Sequence, residues 1–208
     1  MSKRFIAIMF LPAIFILGCG NPADDKPEAK VGAASHGDTP AATGVVHTFA
    51  EGSTIDFIGS KVTGSHSGGF KTFEGTFHLV DNDPAKSSVE ITIDSSSLWA
   101  DNDNLTGHLK SPDFFDVASH PTVHFKSTSI VSGAEGYTVT GNLQLHGVTK
   151  SIEFPASIEV VNHQVVVKSE FSINRFDFTI EYKGKADNLI RNEVVIKLDM
   201  TATPASTS

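Results

Sequence analysis

The chain has 208 residues, of which 39% are hydrophobic and 19% charged, and its formal net charge is −8. This balance is ordinary for a folded domain and argues against wholesale disorder. The acidic charge argues against binding nucleic acid or anionic lipid through charge alone, because both are themselves negative. Fifteen Phe residues stand against one Trp and two Tyr. Because Phe has no polar atom, this excess favours a lining that contacts hydrocarbon, although plain core packing explains it equally well.

The chain begins with a segment typical of exported bacterial proteins. Basic residues at positions 3–4 precede an apolar run over residues 5–17, which is too short to span a bilayer. The run ends Ile16-Leu17-Gly18-Cys19, which resembles the cleavage site of a bacterial lipoprotein. That resemblance implies a lipoprotein signal peptide at residues 1–18 and a diacylglycerol on Cys19. The alternative is an ordinary signal peptide followed by an incidental cysteine.

Cys19 is the single cysteine of the chain, so no intrachain disulfide can form in the oxidising compartment that the leader implies. Acylation would block its thiol, and two or three acyl chains would hold the protein firmly on a membrane. We therefore expect a periplasm-facing lipoprotein. Gly20 stands where an inner-membrane retention signal usually has Asp, which favours the outer membrane. Without its leader the chain has 14 basic and 24 acidic residues, a net charge of −10.

Residues 19–46 are predicted to be a lipidated cysteine followed by a flexible tether. From residue 20 onward this segment consists largely of small and polar residues without a hydrophobic period, so it lacks the apolar residues of a folding unit. We expect this tether to hold the following domain, residues 47–203, away from the membrane.

From residue 53 onward, apolar residues recur at every second position, as at Val89, Ile91 and Ile93. Because side chains alternate across a strand, each such set forms one apolar wall. The pattern predicts eight strands, over residues 53–60, 70–80, 87–95, 122–131, 136–146, 149–161, 164–173 and 193–202. Short turns between them indicate an all-β, eight-stranded antiparallel β-barrel, which is wide enough to hold one ligand.

The segment from Asn102 to Asp116 breaks this alternation. It carries residues at helical spacings of three and four, namely Leu105, His108, Leu109 and Pro112. We expect a short helix, capped by Asp103 or Asn104 and ended by Ser111-Pro112. This helix either covers one mouth of the barrel or is a plain crossover connection.

The histidines do not have the spacing of a metal site. His120 and His124 lie in a region that Pro121 and the following alternation predict to be extended, where four residues span roughly 13 Å, too far to share one ion. Two aspartate-rich turns begin like calcium loops but lack the later ligands. The segment Gly64–Gly69 has His66 where a nucleophile elbow requires Ser. It predicts either a loop whose amides approach a polar head group or a simple long hairpin loop.

Three further stretches carry a family resemblance. They are residues 108–117 (HLKSPDFFDV), 120–127 (HPTVHFKS) and 141–154 (GNLQLHGVTKSIEF). Together they resemble the YceI-like family of bacterial envelope proteins, over residues 47–203, and residues 186–194 look like one of its subgroups. The resemblance implies a lipocalin-like barrel with a long apolar pore for an isoprenoid or similar lipid. It also implies a carrier, without catalysis, cofactor or metal.

We predict the lining of this pore from the alternation, in some cases with a register uncertain by one residue. The candidates are Phe57, Phe77, Phe125, Leu143, Phe154, Phe171, Phe176 and Ile196. For the ligand head group the best candidate is Arg175, which matches an Arg in the corresponding motif of the family and whose guanidinium suits phosphate. The alternative is that Arg175 pairs with Asp177 or Glu181 on the surface. His66 and His108 are weaker candidates.

The sequence thus favours non-catalytic binding or transport of a long-chain isoprenoid, such as a polyprenyl phosphate or quinone. One alternative is a filled barrel that serves as a protein-interaction module, and another is a periplasmic hydrolase or metalloenzyme. The family resemblance also implies a membrane cytochrome of the b561 type as a partner, and the sequence leaves a homodimer open.

Overall fold

Alternating apolar and polar residues form strands along most of the chain. The structure is a computed structural model, and it describes residues 20–35, 44–186 and 188–205. The strands are β1 (Lys30–Ala33), β2 (Val45–Phe49), β3 (Thr54–Lys61), β4 (Gly64–Phe70), β5 (Phe73–Val80), β6 (Asp83–Asp94), β7 (Leu98–Ala100), β8 (Thr122–Gly133), β9 (Gly136–Leu145), β10 (Val148–Val161), β11 (Gln164–Asn174), β12 (Gly184–Lys185) and β13 (Asn188–Pro204). The described helices are α1 (Asp103–Lys110) and two 3-10 turns, Ser95–Ser97 and Arg175–Phe178.

Eight of these strands close into an antiparallel barrel. Around the ring the hydrogen-bonded order is β10, β9, β8, β6, β5, β2, β13 and β11, and β11 pairs with β10 to complete the circle. Strands β3, β4 and β7 extend the sheet from β13, which pairs with β3 between Ile190 and Asp199. The prediction of an all-β, eight-stranded antiparallel barrel is confirmed.

One member of the ring differs from the prediction. The predicted strand at 53–60 is β3, but β2 is the strand that bridges β13 and β5. Strand β13 is 17 residues long and pairs with β3 over its first part and with β2 near its end. The sequence did not reveal β2 because most of it is exposed and because its buried central residue is His47 rather than an apolar residue.

Tight turns set the register of three hairpins. Residues 81–82, 146–147 and 162–163 all have positive φ at both positions. Two successive residues of this kind are typical of type I′ turns, whose twist matches that of antiparallel strands. The predicted turns at these places are therefore also the points at which strand register is fixed.

The Gly64–Gly69 segment is not a loop, and this part of the prediction was wrong. It forms most of β4, which pairs with β3 on one side and with β7 on the other. A side chain at Gly68 would overlap the ring of Phe57 and the carbonyl oxygen of Trp99. Glycine is therefore present here because an aromatic ring lies against the backbone, and not to provide flexibility.

Helix α1 is shorter than the segment that predicted it. Its N-cap is Asn102, whose side chain accepts a hydrogen bond from the Leu105 amide at 3.1 Å. The expected caps, Asp103 and Asn104, lie inside the first turn instead. The helix ends at the predicted place, with Ser111 as its C-cap.

The N-terminal segment is built into the barrel wall. Strands β10 and β11 are hydrogen-bonded to each other only where residues 157–161 face residues 164–168. The earlier part of β10 and the later part of β11 have other partners. Strand β1 pairs with residues 150–153 of β10. Just before β1, the Ala29 amide donates to the Ser172 carbonyl of β11 at 2.8 Å, and the Ser172 amide donates to Pro27 at 2.9 Å. The chain thus closes a seam between β10 and β11, and we call residues 20–35 the strap.

The prediction of a flexible tether over residues 19–46 is wrong for residues 20–35, which form the strap, and for residues 45–46, which belong to β2. Ala23 and Ala29 are buried, and Lys26 forms an ion pair with Glu170 of β11 at 3.2 Å. The composition lacks a hydrophobic period, but the strap needs only two small buried side chains because its main chain supplies the contacts. The predicted signal peptide and Cys19 lie outside the described residues, as do residues 36–43.

Replacing Ala29 with Asp tests the sealing role of the strap. Ala29 is only 5% exposed, so an unpaired carboxylate there should lower the free energy of unfolding by about 3 kcal/mol. Ala33→Asp is the matched control, because Ala33 lies in the same strap, at the end of β1, and is exposed. Urea unfolding of both variants measures the difference. Equal stability of the two would contradict a sealed seam.

Candidate functional site

The interior of the barrel holds a cavity of about 540 Å³. Its wall consists of the inward residues of nearly every barrel strand together with residues of α1. Most of them are aliphatic or aromatic, as the alternation requires. They include Phe49, Ile55, Phe70, Val89, Ile91, Ile93, Leu105, Leu109, Phe115, Val123, Ile130, Val139, Leu145, Ile152, Ile158, Val167, Ile173, Val194, Leu198 and Met200. The volume falls within the range of small-molecule binding cavities.

Seven of the eight predicted pore residues lie in this wall. They are Phe57, Phe77, Phe125, Leu143, Phe154, Phe171 and Ile196. Two of their rings, Phe154 and Phe171, stack with centroids 4.4 Å apart on neighbouring strands β10 and β11. Their contact with a ligand stays a prediction.

Phe176 was predicted to line the pore and does not. It lies in the 3-10 turn that follows β11, where the period of two ends. Its ring lies instead against Arg175, with the guanidinium carbon 4.7 Å from the ring centroid. A contact of this kind stabilises the cation through the face of the ring.

A glycine makes room for one of the lining rings. A side chain at Gly141 on β9 would overlap the ring of Phe125 and the carbonyl oxygen of Lys126 on β8. The Phe125 ring therefore lies over bare backbone, close to the wall. This arrangement preserves open volume that a ring pointing straight inward would occupy.

The polar lining residues collect at one end of the barrel, which we call the polar end. They come from the last residues of β3, the start of β4, α1, the 3-10 turn after β11 and the segment leading into β13. The members are Gly59, Ser60, Lys61, His66, His108, Arg175, Tyr182, Gly184 and Arg191, and Asp56 lies further along β3. The cavity is thus amphipathic, with an apolar body and a cationic end.

Arg175, the best head-group candidate from the sequence, lies at the polar end, but backbone carbonyls already bind its guanidinium. Nε donates to the carbonyl of Arg191 at 3.0 Å, and Nη1 and Nη2 donate to those of Ile180 and Ile190. Burial lowers the pKa of Arg175, and the charge of Glu193 opposes this shift. The surface alternative, pairing with Asp177 or Glu181, is not observed. These bonds give Arg175 a structural role.

The two histidine candidates also lie in the cavity wall, and each has a carboxylate partner. His66 Nδ1 is 2.8 Å from Asp101, and His108 Nε2 is 3.1 Å from Asp113. The ring of His108 also packs edge-on against Tyr182, with centroids 4.9 Å apart. Both imidazoles therefore already have a polar partner within the protein.

Sequence reasoning missed Lys61, Tyr182 and Arg191. Arg191 lies at an irregularity of β13, where the register with β3 shifts between Ile190 and Val194. A bulge of this kind re-aims side chains, so simple alternation cannot place them. The buried Nε of Arg191 has no hydrogen-bond partner among the residues described. The one signal in the sequence that could have identified Arg191 as a candidate is that it interrupts the apolar pattern.

Within residues 20–35, 44–186 and 188–205, no three His, Cys, Asp or Glu side chains lie close enough to share a metal ion. In the same ranges, no helix combines the length and apolar character needed to cross a bilayer.

The fold and the cavity define a lipocalin-like β-barrel with an interior binding space. The model of the YceI-like domain matches residues 47–202. Because this match covers most of the chain, the protein belongs to the YceI-like family. The strap lies outside the matched region.

Curated relatives agree with this assignment. A UPF0312 protein of Pectobacterium atrosepticum is 32% identical over 119 residues, which cover 54% of this chain and 62% of the relative. Protein YceI of Escherichia coli O17:K52:H18 is 36% identical over 91 residues, which cover 44% of this chain and 48% of the relative. The chain therefore spans about half the length of the curated relatives it matches.

Solved structures share the fold. BcnA of Burkholderia cenocepacia has a TM-score of 0.66 and 24% identity, covering 73% of this chain and 96% of that one. A polyisoprenoid binding domain from Saccharophagus degradans has a TM-score of 0.62 and 16% identity, covering 77% and 99%. At these identities the likeness concerns the fold alone.

The Asp101 carboxylate should make stability at the polar end depend on pH. The Ser67 amide and His66 bind this carboxylate and hold the pKa of Asp101 below its ordinary value of 3.8. Its ionised form therefore stabilises the fold above pH 3.8, and this contribution disappears as the pH falls through the lower folded pKa. Asp101→Asn should cost less than about 1 kcal/mol near neutral pH, because the group is exposed.

Thermal unfolding of both proteins from pH 7 to pH 2.5 would check this expectation. The difference between wild type and Asp101→Asn should shrink towards the acid end. Glu135→Gln, in the turn between β8 and β9, is the control for a carboxylate without such bonds. A difference that stays constant across the range would contradict the assignment.

Proposed function

We propose that this protein binds and carries an amphiphilic lipid with a long isoprenoid tail, and that it does so without catalysis. The observation that carries the proposal is the preformed apolar cavity of about 540 Å³. The polyisoprenoid binding domain from Saccharophagus degradans, which shares the fold, supports the choice of an isoprenoid.

Transfer of the tail from water into the cavity would supply the binding energy. Each buried methylene contributes about 0.8 kcal/mol, so each five-carbon unit contributes on the order of 4 kcal/mol. Several units outweigh the cost of ordering the ligand. No bond needs to form or break, so uptake and release are a reversible partition.

The cavity argues against the filled-barrel alternative. Protein interiors are normally close-packed, with few voids larger than a water molecule. A barrel used only as an interaction surface has no need of an apolar space of this volume. The carboxylate partners of His66 and His108 likewise fit a role in shaping the wall. The proposed mechanism needs no cofactor apart from the lipid itself.

The predicted leader and Cys19 support a location in the bacterial cell envelope. We propose a periplasm-facing lipoprotein anchored through acylated Cys19, with the outer membrane preferred. An anchored carrier exchanges its lipid with a membrane that it already touches. A b561-type cytochrome as partner stays a prediction from the family resemblance.

Filling the cavity tests the function. Leu143→Trp adds bulk inside the wall and should at least halve the lipid retained per protein, because the tail competes with the indole for space. Organic extraction of the purified mature protein followed by mass spectrometry measures the stoichiometry. Val131→Trp is the matched control, since Val131 is exposed on β8.

Circular dichroism would show that both variants keep their strands. The carrier proposal fails if wild type yields no stoichiometric lipid, or if folded Leu143→Trp retains as much lipid as Val131→Trp.

A further inference from the structure

The charged side chains that line the cavity are mostly cationic, which points to the chemistry of the ligand. The cations in the cavity wall are Lys61, Arg175 and Arg191, and Asp56 is a carboxylate in the same wall. Three carbonyls bind Arg175. Arg191 has no ion pair within the ranges that the structure describes, and its buried Nε has no hydrogen-bond partner there.

Two features of β13 direct this charge into the cavity. The register shift between Ile190 and Val194 places Arg191 in a bulge, and its side chain reaches the cavity wall. Ile190 pairs directly with Lys61 of β3, so a second cation lies on the adjacent strand. A guanidinium donates two parallel hydrogen bonds to a phosphate or carboxylate, and an apolar surround strengthens this attraction.

We propose that Arg191, with Lys61 beside it, binds the anionic head group of the amphiphile whose tail fills the cavity. This inference rests on the proposed function and narrows its ligand to a tail with a phosphate or carboxylate head. A neutral quinone or alcohol would provide no anion for Arg191 to bind.

Three probes with one tail and different heads test this inference. Delipidated protein is titrated with farnesyl phosphate, farnesoic acid and farnesol at low salt. Wild type should bind the two anions at least tenfold more tightly than farnesol. Arg191→Gln should remove most of that preference while leaving farnesol binding unchanged. Stronger binding of the phosphate than of the carboxylate would identify a phosphate head.

Lys183→Gln is the matched control. Lys183 is exposed, and its carbonyl accepts from the Ile190 amide at 3.1 Å, so the variant removes one positive charge near Arg191 but outside the cavity wall. Equal binding of all three probes by wild type would overturn the inference. The inference would also be overturned if Arg191→Gln and Lys183→Gln lost the preference for the anionic probes to the same extent. Failure of every probe to bind would instead count against the carrier function itself.

A separate observation concerns where the strap begins. The Asn21 side-chain oxygen lies 3.5 Å from the Ser60 hydroxyl, and Ser60 is in the cavity wall at the polar end. The following turn is held by a hydrogen bond from the Asp24 amide to Asn21 at 3.0 Å, and Ala23 is buried. The strap then continues to the seam between β10 and β11.

The strap begins at Gly20, which follows Cys19 directly in the sequence. Two peptide units separate Cys19 from Asn21, so their Cα atoms are at most about 7.6 Å apart. Exposed apolar residues occur at both ends of the barrel, with Val62 and Leu189 at the polar end and Val45, Val46, Val131 and Val161 towards the other. Their exposure alone therefore does not say which end faces a membrane. The anchor position does distinguish the two ends.

We infer that the acylated chain holds the polar end of the barrel against the membrane surface. This inference rests on acylation of Cys19 as proposed above. In that orientation an amphiphile passes between bilayer and cavity over a short distance. Because the strap is hydrogen-bonded along the barrel wall, residues 20–35 do not act as a free linker between the anchor and the barrel. The anchor therefore restricts the orientation of the barrel on the membrane.

Depth-dependent quenching tests the orientation. Acylated Cys19 has no free thiol, so Val62→Cys and Val161→Cys each carry one bimane label, and both positions are exposed at opposite ends. The full chain is made in a Gram-negative host and reconstituted into phosphatidylcholine vesicles containing brominated lipid. The label at position 62 should be quenched at least twofold more than the label at position 161.

Equal quenching, or stronger quenching at position 161, would overturn the orientation. Intact-protein mass measures the acyl chains independently, and an unmodified mature chain would also overturn it. The farnesyl titrations do not depend on the anchor, so this failure leaves the carrier function standing.

Discussion

The barrel has to keep its wall hydrogen-bonded while its centre stays unfilled. In most small domains, side chains from opposite walls meet and their packing stabilises the fold. Here a cavity of about 540 Å³ separates them, so closure of the ring has to compensate for the missing central contacts. Strands β10 and β13, 14 and 17 residues long, provide extended ladders, and tight two-residue turns hold several strands in register.

The same constraint explains the strap. Where β10 and β11 separate, an open seam would leave amide and carbonyl groups unpaired beside lining residues such as Ile152 and Phe171. Strand β1 pairs with residues 150–153 of β10, and the chain around Ala29 bonds to Ser172 of β11, so the strap makes hydrogen bonds to both edges. A hollow barrel depends more on such closure than a filled one, because water entering through the seam would reach the apolar wall directly.

The sequence correctly predicted the strands and inward-facing residues that follow from a period of two residues. Its predictions failed where that period is interrupted. Alternation placed Phe57, Phe125 and their neighbours in the cavity wall, since side-chain direction follows position along a strand. It misplaced Phe176, which follows the end of β11, and it could not orient Arg191, which lies in a bulge. The strap depends on the edges of two distant strands, and Gly68 depends on an aromatic ring from a neighbouring strand. Composition indicates only local propensity, so it could not predict either feature.

A cation in an apolar wall is costly to the extent that it is removed from water and left unpaired, and the two arginines of the polar end differ in this respect. Arg175 is buried, whereas Arg191 is partly exposed with a buried Nε. Arg175 is stabilised by carbonyls from the chain that surrounds it, so the fold itself needs its charge. Arg191 has no such partner among the described residues, so its charge is available to a ligand. Because the strap starts beside the same end, at Asn21, one end of the barrel combines the free cation with the proposed membrane anchor. A lipid head group held there would stay closest to the bilayer while its tail occupies the apolar interior.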